Sequence, residues 1–411
     1  MRVLGIGDSD SYVKWGAATL DRMPAEWDTE LVLLKTPAMP SANQLAAALR
    51  GTRFEGTQPE SVGLAELAAK VATDEPTVVL ISVRGPVVRV LVRAIVAAAE
   101  RRPVLVSGMP GISIPETMLA VYYRSQIDVF LLHSKREVRA FRELARSLGV
   151  EQDFALATLP FLAGNEPVVP SGTDIVFAPQ AKVPRVQAER EWLVGRLVAA
   201  AKALPGRRLV VKVRGLASEP QTHPESFPLD VALDARTDVP DNLVVETGAM
   251  SDALAKAGAL VTVSSTAAME AMARGIPVIA LDDFGVTDRL INTVFEGSGL
   301  LVGTDALIAG VFRNPNPDWL DDNYFHAPEA ETWVQAIDAA VARREAGPFP
   351  LRPQFRGRLG GSFRRAWDRK RALGPYDDSL AGHAAMLVGT PLRQGIRRVR
   401  KVRARIRRSR V

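Results

Sequence analysis

Runs of Val, Ile and Leu recur along this chain without polar alternation, and amphipathic stretches separate them. In the first half the runs predict strands at Val3 to Ile6, Glu30 to Leu34, Thr77 to Ser82, Val104 to Ser107, Asp128 to Leu132 and Ala155 to Leu159. The stretches between them predict helices at Asn43 to Arg50, Val62 to Ala72, Val87 to Glu100, Glu116 to Arg124 and Lys135 to Leu148. Strands this apolar are buried on both faces, which calls for a parallel sheet wrapped by helices. A polar segment rich in Pro and Gly, Ala163 to Gly172, then interrupts the alternation and reads as a linker.

The alternation restarts with strands Asp174 to Ala178, Arg208 to Val213 and Leu243 to Glu246, and helices from Val186 to Ala203 and Ser251 to Ala257. It continues through the strand-turn-helix-strand unit Leu260 to Ala280, a strand near Leu300 to Val302 and a helix from Glu331 to Arg344. The expected organisation is residues 1–165 as one α/β domain, 172–346 as a second and 347–411 as an extension outside the packed core. A chain of 411 residues is long enough for two such cores.

Composition narrows the chemistry. Zero cysteines exclude disulfides and thiolate catalysis, and four scattered histidines do not make a His-rich metal site. No run reaches the ~20 apolar residues of a membrane span. Met1 to Gly7 enters a strand directly, without a basic leader, so a cytoplasmic location is expected. Net charge is +6, yet Arg397 to Arg410 holds nine Lys/Arg and no acid, leaving about −3 for the remainder. That tail can be read as a solvated appendage, as an arm for nucleic acid, or as a segment that lies on the anionic inner face of a membrane. The acidic body does not favour nucleic acid.

The richest candidate site is Ser264-Ser265-Thr266-Ala-Ala-Met-Glu270, closed by Gly275 and Pro277. The start of a helix presents unpaired N–H groups and the positive end of a dipole, so hydroxyls there suit a phosphate. Glu270, one turn past Thr266, can reach the same mouth and accept from a sugar hydroxyl. Ser and Thr are equally ordinary N-caps, and that alternative stays open.

This unit, late in a chain of two α/β halves, resembles the donor-binding half of nucleotide-sugar glycosyltransferases of the GT-B fold. The likeness is nearest to actinobacterial cell-surface enzymes, and more distant to capsule and teichoic-acid polymerases and UDP-N-acetylglucosamine 2-epimerases. It implies two Rossmann-like doubly wound parallel-sheet domains facing a central cleft, with the basic C-terminal extension appended. It also implies a nucleotide-sugar donor as substrate, a cell-envelope glycan or lipid-linked acceptor, and no metal or other cofactor. Ser264, Ser265 and Thr266 would hold the diphosphate and Glu270 the ribose. Lys182 and Arg185 fall where related transferases place cations beside the donor phosphates. Lys212 takes the place of a Lys-x-His-Pro segment whose His-Pro is missing here, and His223, beside Pro224, is a further donor-binding candidate. An epimerase or hydrolase of the same fold, and a non-catalytic adaptor working through its tail, are the alternatives.

On the acceptor side, Asp8-Ser9-Asp10 follows the first strand. Asp8 or Asp10 could be a general base, with Lys14 and Trp15 clamping the acceptor, or Asp8 could cap the next helix. The same triplet matches an Asp-x-Asp metal motif. Arg84 ends the third long strand and would point into the cleft. The loop Ser107 to Thr117 lacks the His-Gly of teichoic-acid enzymes, so Glu116 is the substitute base, provided that it is partly buried; otherwise it serves the helix dipole.

Overall fold

The computed structural model describes residues 1–162, 172–180, 183–213, 227–355 and 361–390. Two all-parallel sheets carry the fold. The first holds β1 (Arg2–Gly7), β2 (Asp28–Leu34), β3 (Ser61–Val62), β4 (Val78–Ser82), β5 (Val104–Gly108), β6 (Val129–Leu132) and β7 (Asp153–Leu156), in the order β3-β2-β1-β4-β5-β6-β7. The second holds β8 (Asp174–Ala178), β9 (Leu209–Lys212), β10 (Leu243–Glu246), β11 (Ala257–Thr262), β12 (Val278–Leu281) and β13 (Leu301–Val302), in the order β10-β9-β8-β11-β12-β13. Relative to its own first strand, each sheet has the same doubly wound order.

Side-chain alternation explains why both faces are covered. Val78, Leu80, Val104 and Val106 point to one face of the first sheet and pack with Trp15 and Leu20; Val79, Ile81 and Leu105 point to the other and pack with Leu67, Val88 and Leu91. The second sheet divides in the same way, with Val176, Leu260 and Val278 on one side and Ile175, Val261 and Ile279 on the other. A sheet sandwiched between helices on both faces leaves its strand ends as the places where polar groups can gather.

Two expectations about organisation are corrected. The helix Trp333–Ala346, expected in the second domain, buries Trp333, Ile337 and Ala340 in the core of the first sheet. The segment after Gly347 is likewise packed rather than set apart. Leu351, Ala372 and Leu373 join the cluster beneath the helix Gly85–Ala98, and Arg102 hydrogen-bonds the Phe349 carbonyl at 3.0 Å while paired to buried Asp128 at 2.7 Å. Composition did not reveal this because an arginine stem packs as an apolar group. Residues 391–411, including Arg397 to Arg410, lie outside the described residues.

Candidate active site

Doubly wound sheets open a crevice where the strand order reverses, outside the carboxyl ends of the strands. Here those points lie between β1 and β4 and between β8 and β11. The two lobes meet beside these points, through the loops after β5 and β11. A Cβ placed on Gly111, whose φ is +121°, would stand 3.0 Å from the Thr266 methyl group, so the loop after β5 faces the loop after β11. Ile114 of the first loop shares a buried cluster with Ala267, Ala268 and Met269 of the second lobe.

Asp8, at the end of β1, is fully buried and engaged by Arg84. Its Oδ2 accepts from Arg84 Nε at 2.7 Å and its Oδ1 from the Arg84 backbone N–H at 3.1 Å. Burial pushes its pKa up, against the pull of the guanidinium. With no exposed oxygen it can neither take a proton from an acceptor nor form half of an Asp-x-Asp metal pair, so both expectations are corrected: Asp8 orients Arg84. It does not cap its own helix, whose N-cap is Ser9. Asp10 opens that helix, half-buried, and accepts from the Ser11 hydroxyl at 3.4 Å. Trp15 is core and clamps nothing. Its indole N–H donates to His133 Nε2 at 2.8 Å, so His133 carries its proton on Nδ1 and gives it to the Ala157 carbonyl at 2.9 Å. Sealed from water, His133 is held down at about 4.

Glu116 is exposed and stands before the N-cap Thr117 of the helix Met118–Arg124, so the expected partial burial is not met. The buried carboxylate beside this loop is Glu137, which the sequence reading missed. It accepts from Ser113 N at 2.7 Å, His133 N at 2.8 Å and the Tyr324 hydroxyl at 2.6 Å, and burial raises its pKa. The Ser134-Lys-Arg-Glu137 spacing of a capping box was its signal, although the carboxylate reaches past the N-cap to bind the loop and the opposite lobe.

In the second lobe the Ser264–Glu270 unit is a strand end followed by a seven-residue helix, Ala267–Ala273. Most of its polar groups are already matched within the protein. The Ser264 hydroxyl is buried between Gln180 Oε1 and the Leu290 carbonyl, the latter at 2.6 Å. Ser265 N–H donates to Thr262 Oγ1 at 3.0 Å, and Ser265 Oγ receives the Ala267 N–H at 3.2 Å. Ser264 and Ser265 therefore build the turn, and Ala267 and Ala268 are packed rather than open to a ligand. These are corrections to the expected phosphate cradle. What remains unpaired is the N–H and hydroxyl of Thr266 and the carboxylate of Glu270, both residues half-buried and none of these groups making a hydrogen bond among the described residues.

Arg185 is exposed two residues before the helix Gln187–Ala203. Lys212 ends β9 almost buried, its ammonium held by the Gly248 carbonyl at 2.7 Å, and desolvation lowers its pKa. It faces the protein. Lys182 and His223 lie outside the described residues. Asp283, on the rim after β12, caps the next helix through Thr304 N–H at 2.9 Å. Among the described residues no cluster of three acidic or His side chains could hold a metal ion.

Residues 3–340 match the model of a family described as "Putative glycosyltransferase (DUF6716)". Solved structures of similar fold include UDP-GlcNAc 2-epimerase from Methanocaldococcus jannaschii, with TM-score 0.52 and 13% identity over 84% of this chain and 100% of that one. S. aureus MnaA in a co-structure with UDP gives 0.52 and 11%, over 87% and 100%. UDP-GlcNAc 2-epimerase from Neisseria meningitidis bound to UDP-GlcNAc gives 0.50 and 10%, over 84% and 100%. At these identities the likeness is one of fold, and it matches the GT-B-like pair of facing sheets. No curated protein matches the chain.

Proposed function

The chain belongs to the DUF6716 glycosyltransferase family, and from that membership we propose that it transfers a sugar from a uridine-diphosphate donor to a cell-envelope glycan or lipid-linked acceptor, without a metal. The carrying observation is that two sheets sharing one doubly wound order over six strands face each other through their strand-end loops, where Gly111, after β5, meets Thr266, after β11. The donor diphosphate would lie against the unpaired Thr266 N–H and hydroxyl, its ribose on Glu270, with Arg185 beside it and, from the sequence, Lys182 and His223. A cation near the diphosphate stabilises the charge that grows on it as it leaves. The acceptor oxygen forms its bond to the anomeric carbon while the bond from that carbon to the phosphate oxygen breaks. The electron pair leaves with the nucleotide diphosphate, and the acceptor proton passes to a carboxylate, for which half-buried Asp10 is the accessible candidate.

Calorimetry with UDP, GDP, CDP and CMP tests the donor. UDP is expected to bind, and Thr266→Ala with Glu270→Gln to weaken it at least tenfold, equivalent to about 1.4 kcal/mol. No binding by any nucleotide, or undiminished binding in the double variant, overturns the assignment. A second reading, nucleotide-sugar epimerisation, is favoured by the epimerases among the structures of like fold. Incubating UDP-GlcNAc without acceptor separates them, since an epimerase yields an isomer and a transferase does not.

The same proposal places the enzyme on an anionic membrane surface. No described helix is long and apolar enough to cross a membrane. Residues 380–390 are helical, with Leu380 and Leu387 88% and 79% exposed, and the Arg-rich tail follows directly. Leucines on one side of a helix and nearby arginines suit the interface of an anionic bilayer, at about 1 kcal/mol per basic residue. Sedimentation with phosphatidylglycerol vesicles should be lost on truncation after Thr390, and equal sedimentation of the truncated chain would refute the attachment.

A further inference from the structure

Arg84 stands at the switch point of the first lobe as a pre-oriented donor. Asp8 fixes its Nε, and its Nη2 donates to Thr36 Oγ1 at 3.1 Å; Thr36 and Asp8 are themselves fully buried. The Arg84 side chain keeps 38% of its surface, and its Nη1 has no protein partner among the described residues. Next to it lies a second guanidinium of a different kind. Arg124 is nearly buried, with its Nε on the Ser107 hydroxyl at 3.2 Å and its Nη2 on the Tyr12 hydroxyl at 3.0 Å, and it pairs with no carboxylate among the described residues. That same Nη2 lies 3.5 Å from the Val83 carbonyl, which places the Tyr12 hydroxyl beside the peptide leading into Arg84. Because the Tyr12 oxygen accepts from Arg124, its own hydrogen is free to be donated.

Asp8 thus neutralises Arg84 alone, while Arg124 keeps its charge with no carboxylate partner among the described residues, where burial limits screening. Asp10, at the start of the adjacent helix, is the other acid nearby, on the side where a base would meet the acceptor hydroxyl. We propose that Arg84 and Tyr12 form an anion subsite in the first lobe that binds a phosphate group carried by the acceptor, with Asp8 and Arg124 as positioning residues. This rests on the reading of that lobe as the acceptor side and deepens it. Planar, forked donors on a fixed guanidinium match phosphate oxygens. Met118 and Leu119 are exposed on the helix Met118–Arg124, and Leu119 lies one turn before Tyr123, whose ring abuts Gly85. An alkyl chain attached to the phosphate would meet these side chains.

The experiment is calorimetric titration of the full chain, saturated with UDP, with inorganic phosphate, decyl phosphate and acetate. Phosphate is expected to bind in the presence of UDP, more tightly than acetate. Arg84→Gln should weaken it at least tenfold, Tyr12→Phe less, and Arg84→Lys should recover part of the loss. Asp8→Asn should weaken phosphate while leaving UDP affinity unchanged, which a merely structural role would not do. If Arg84→Gln fails to fold around the unpaired Asp8, the double variant Asp8→Asn/Arg84→Gln carries the test without a buried charge. Tighter binding of decyl phosphate that Leu119→Ser abolishes assigns the phosphate to a lipid, and equal binding assigns it to a soluble glycan; either outcome supports the subsite. Phosphate that fails to bind, that competes with UDP, or that binds undiminished to the Arg84→Gln protein overturns it. Failure of UDP itself to bind would instead overturn the donor reading, and phosphate alone would still report on Arg84.

Discussion

The two lobes share a strand order and differ in what they put at its end. The first lobe seals charges into the protein, with Asp8, Arg124 and Glu137 each buried on directional partners. The second builds its turn from neutral groups, Thr262, Ser264, Ser265 and Gln180, and leaves Glu270 and Arg185 within reach of solvent. A buried charge costs too much to move, so it fixes geometry; a hydroxyl can exchange one partner for another at little cost. One face is thus rigid and sensitive to protonation, and the other is adaptable.

Substitutions can break that contrast in graded steps. Glu137→Ala should have the largest effect, because it strands two buried N–H groups and the Tyr324 hydroxyl; at 1–3 kcal/mol for each unsatisfied group the loss should exceed about 3 kcal/mol. Urea unfolding measures it, and a loss below about 1 kcal/mol would show that the loop does not depend on this carboxylate. Acid comes next. His133 is held at about 4 against an ordinary 6.5, so the unfolded chain binds its proton first. The stability from neutral His133 is present above pH 6.5 and is lost as pH falls from 6.5 toward 4, to the extent of about 3 kcal/mol. Asp8 and Glu137, with raised pKa values, act in the opposite sense: their contribution is full below the ordinary carboxylate range and is lost as pH rises through their elevated values. Comparing the unfolding of wild type and His133→Gln between pH 7 and pH 4.5 isolates the histidine, and parallel curves would disprove its role.

Gly111→Ala should cost about 1–3 kcal/mol, since an L side chain is strained at φ +121° and its methyl would press on Thr266. Pairing it with Thr266→Ser should recover only the steric part. Ser264→Ala is the mildest, at about 1 kcal/mol, because Gln180 Nε2 still reaches the Ser264 carbonyl at 2.7 Å. If Ser264→Ala proved as damaging as Glu137→Ala, the contrast between the charged strand-end cluster of the first lobe and the neutral turn of the second would fail.

Much of the frame was legible. Uninterrupted Val/Ile/Leu runs mark doubly buried strands, and the observed strands sit on them within a few residues, as at Val78–Ser82 and Val278–Leu281. Short pieces escaped notice: the two-residue strand Ser61–Val62 abuts and overlaps by one residue the start of the helix predicted from Val62, since two residues carry no period. The position of the Ser264–Glu270 unit at a strand end was also readable. Which of its groups are free was not, because that depends on Gln180 and Leu290, which reach Ser264 from elsewhere in the chain. Trp15 fooled the sequence reading for the same reason. An aromatic residue beside a polar loop looks like a clamp until a histidine 118 residues away takes its N–H.

The order of amino acids by itself determined two parallel-sheet lobes, their helices, and where polar loops would interrupt them, because burial on both faces of a strand is a local compositional demand. Tertiary structure decided the rest. It sent the helix Trp333–Ala346 back to the first sheet, paired Asp8 with Arg84, and closed Ser264 and Ser265 upon their neighbours. Hydrophobic periodicity is a property of consecutive residues. Ion pairs and hydrogen bonds join residues that only the packed fold brings within about 3 Å of each other, and it is those contacts that sort a candidate residue into one that meets a ligand and one that holds the site in shape.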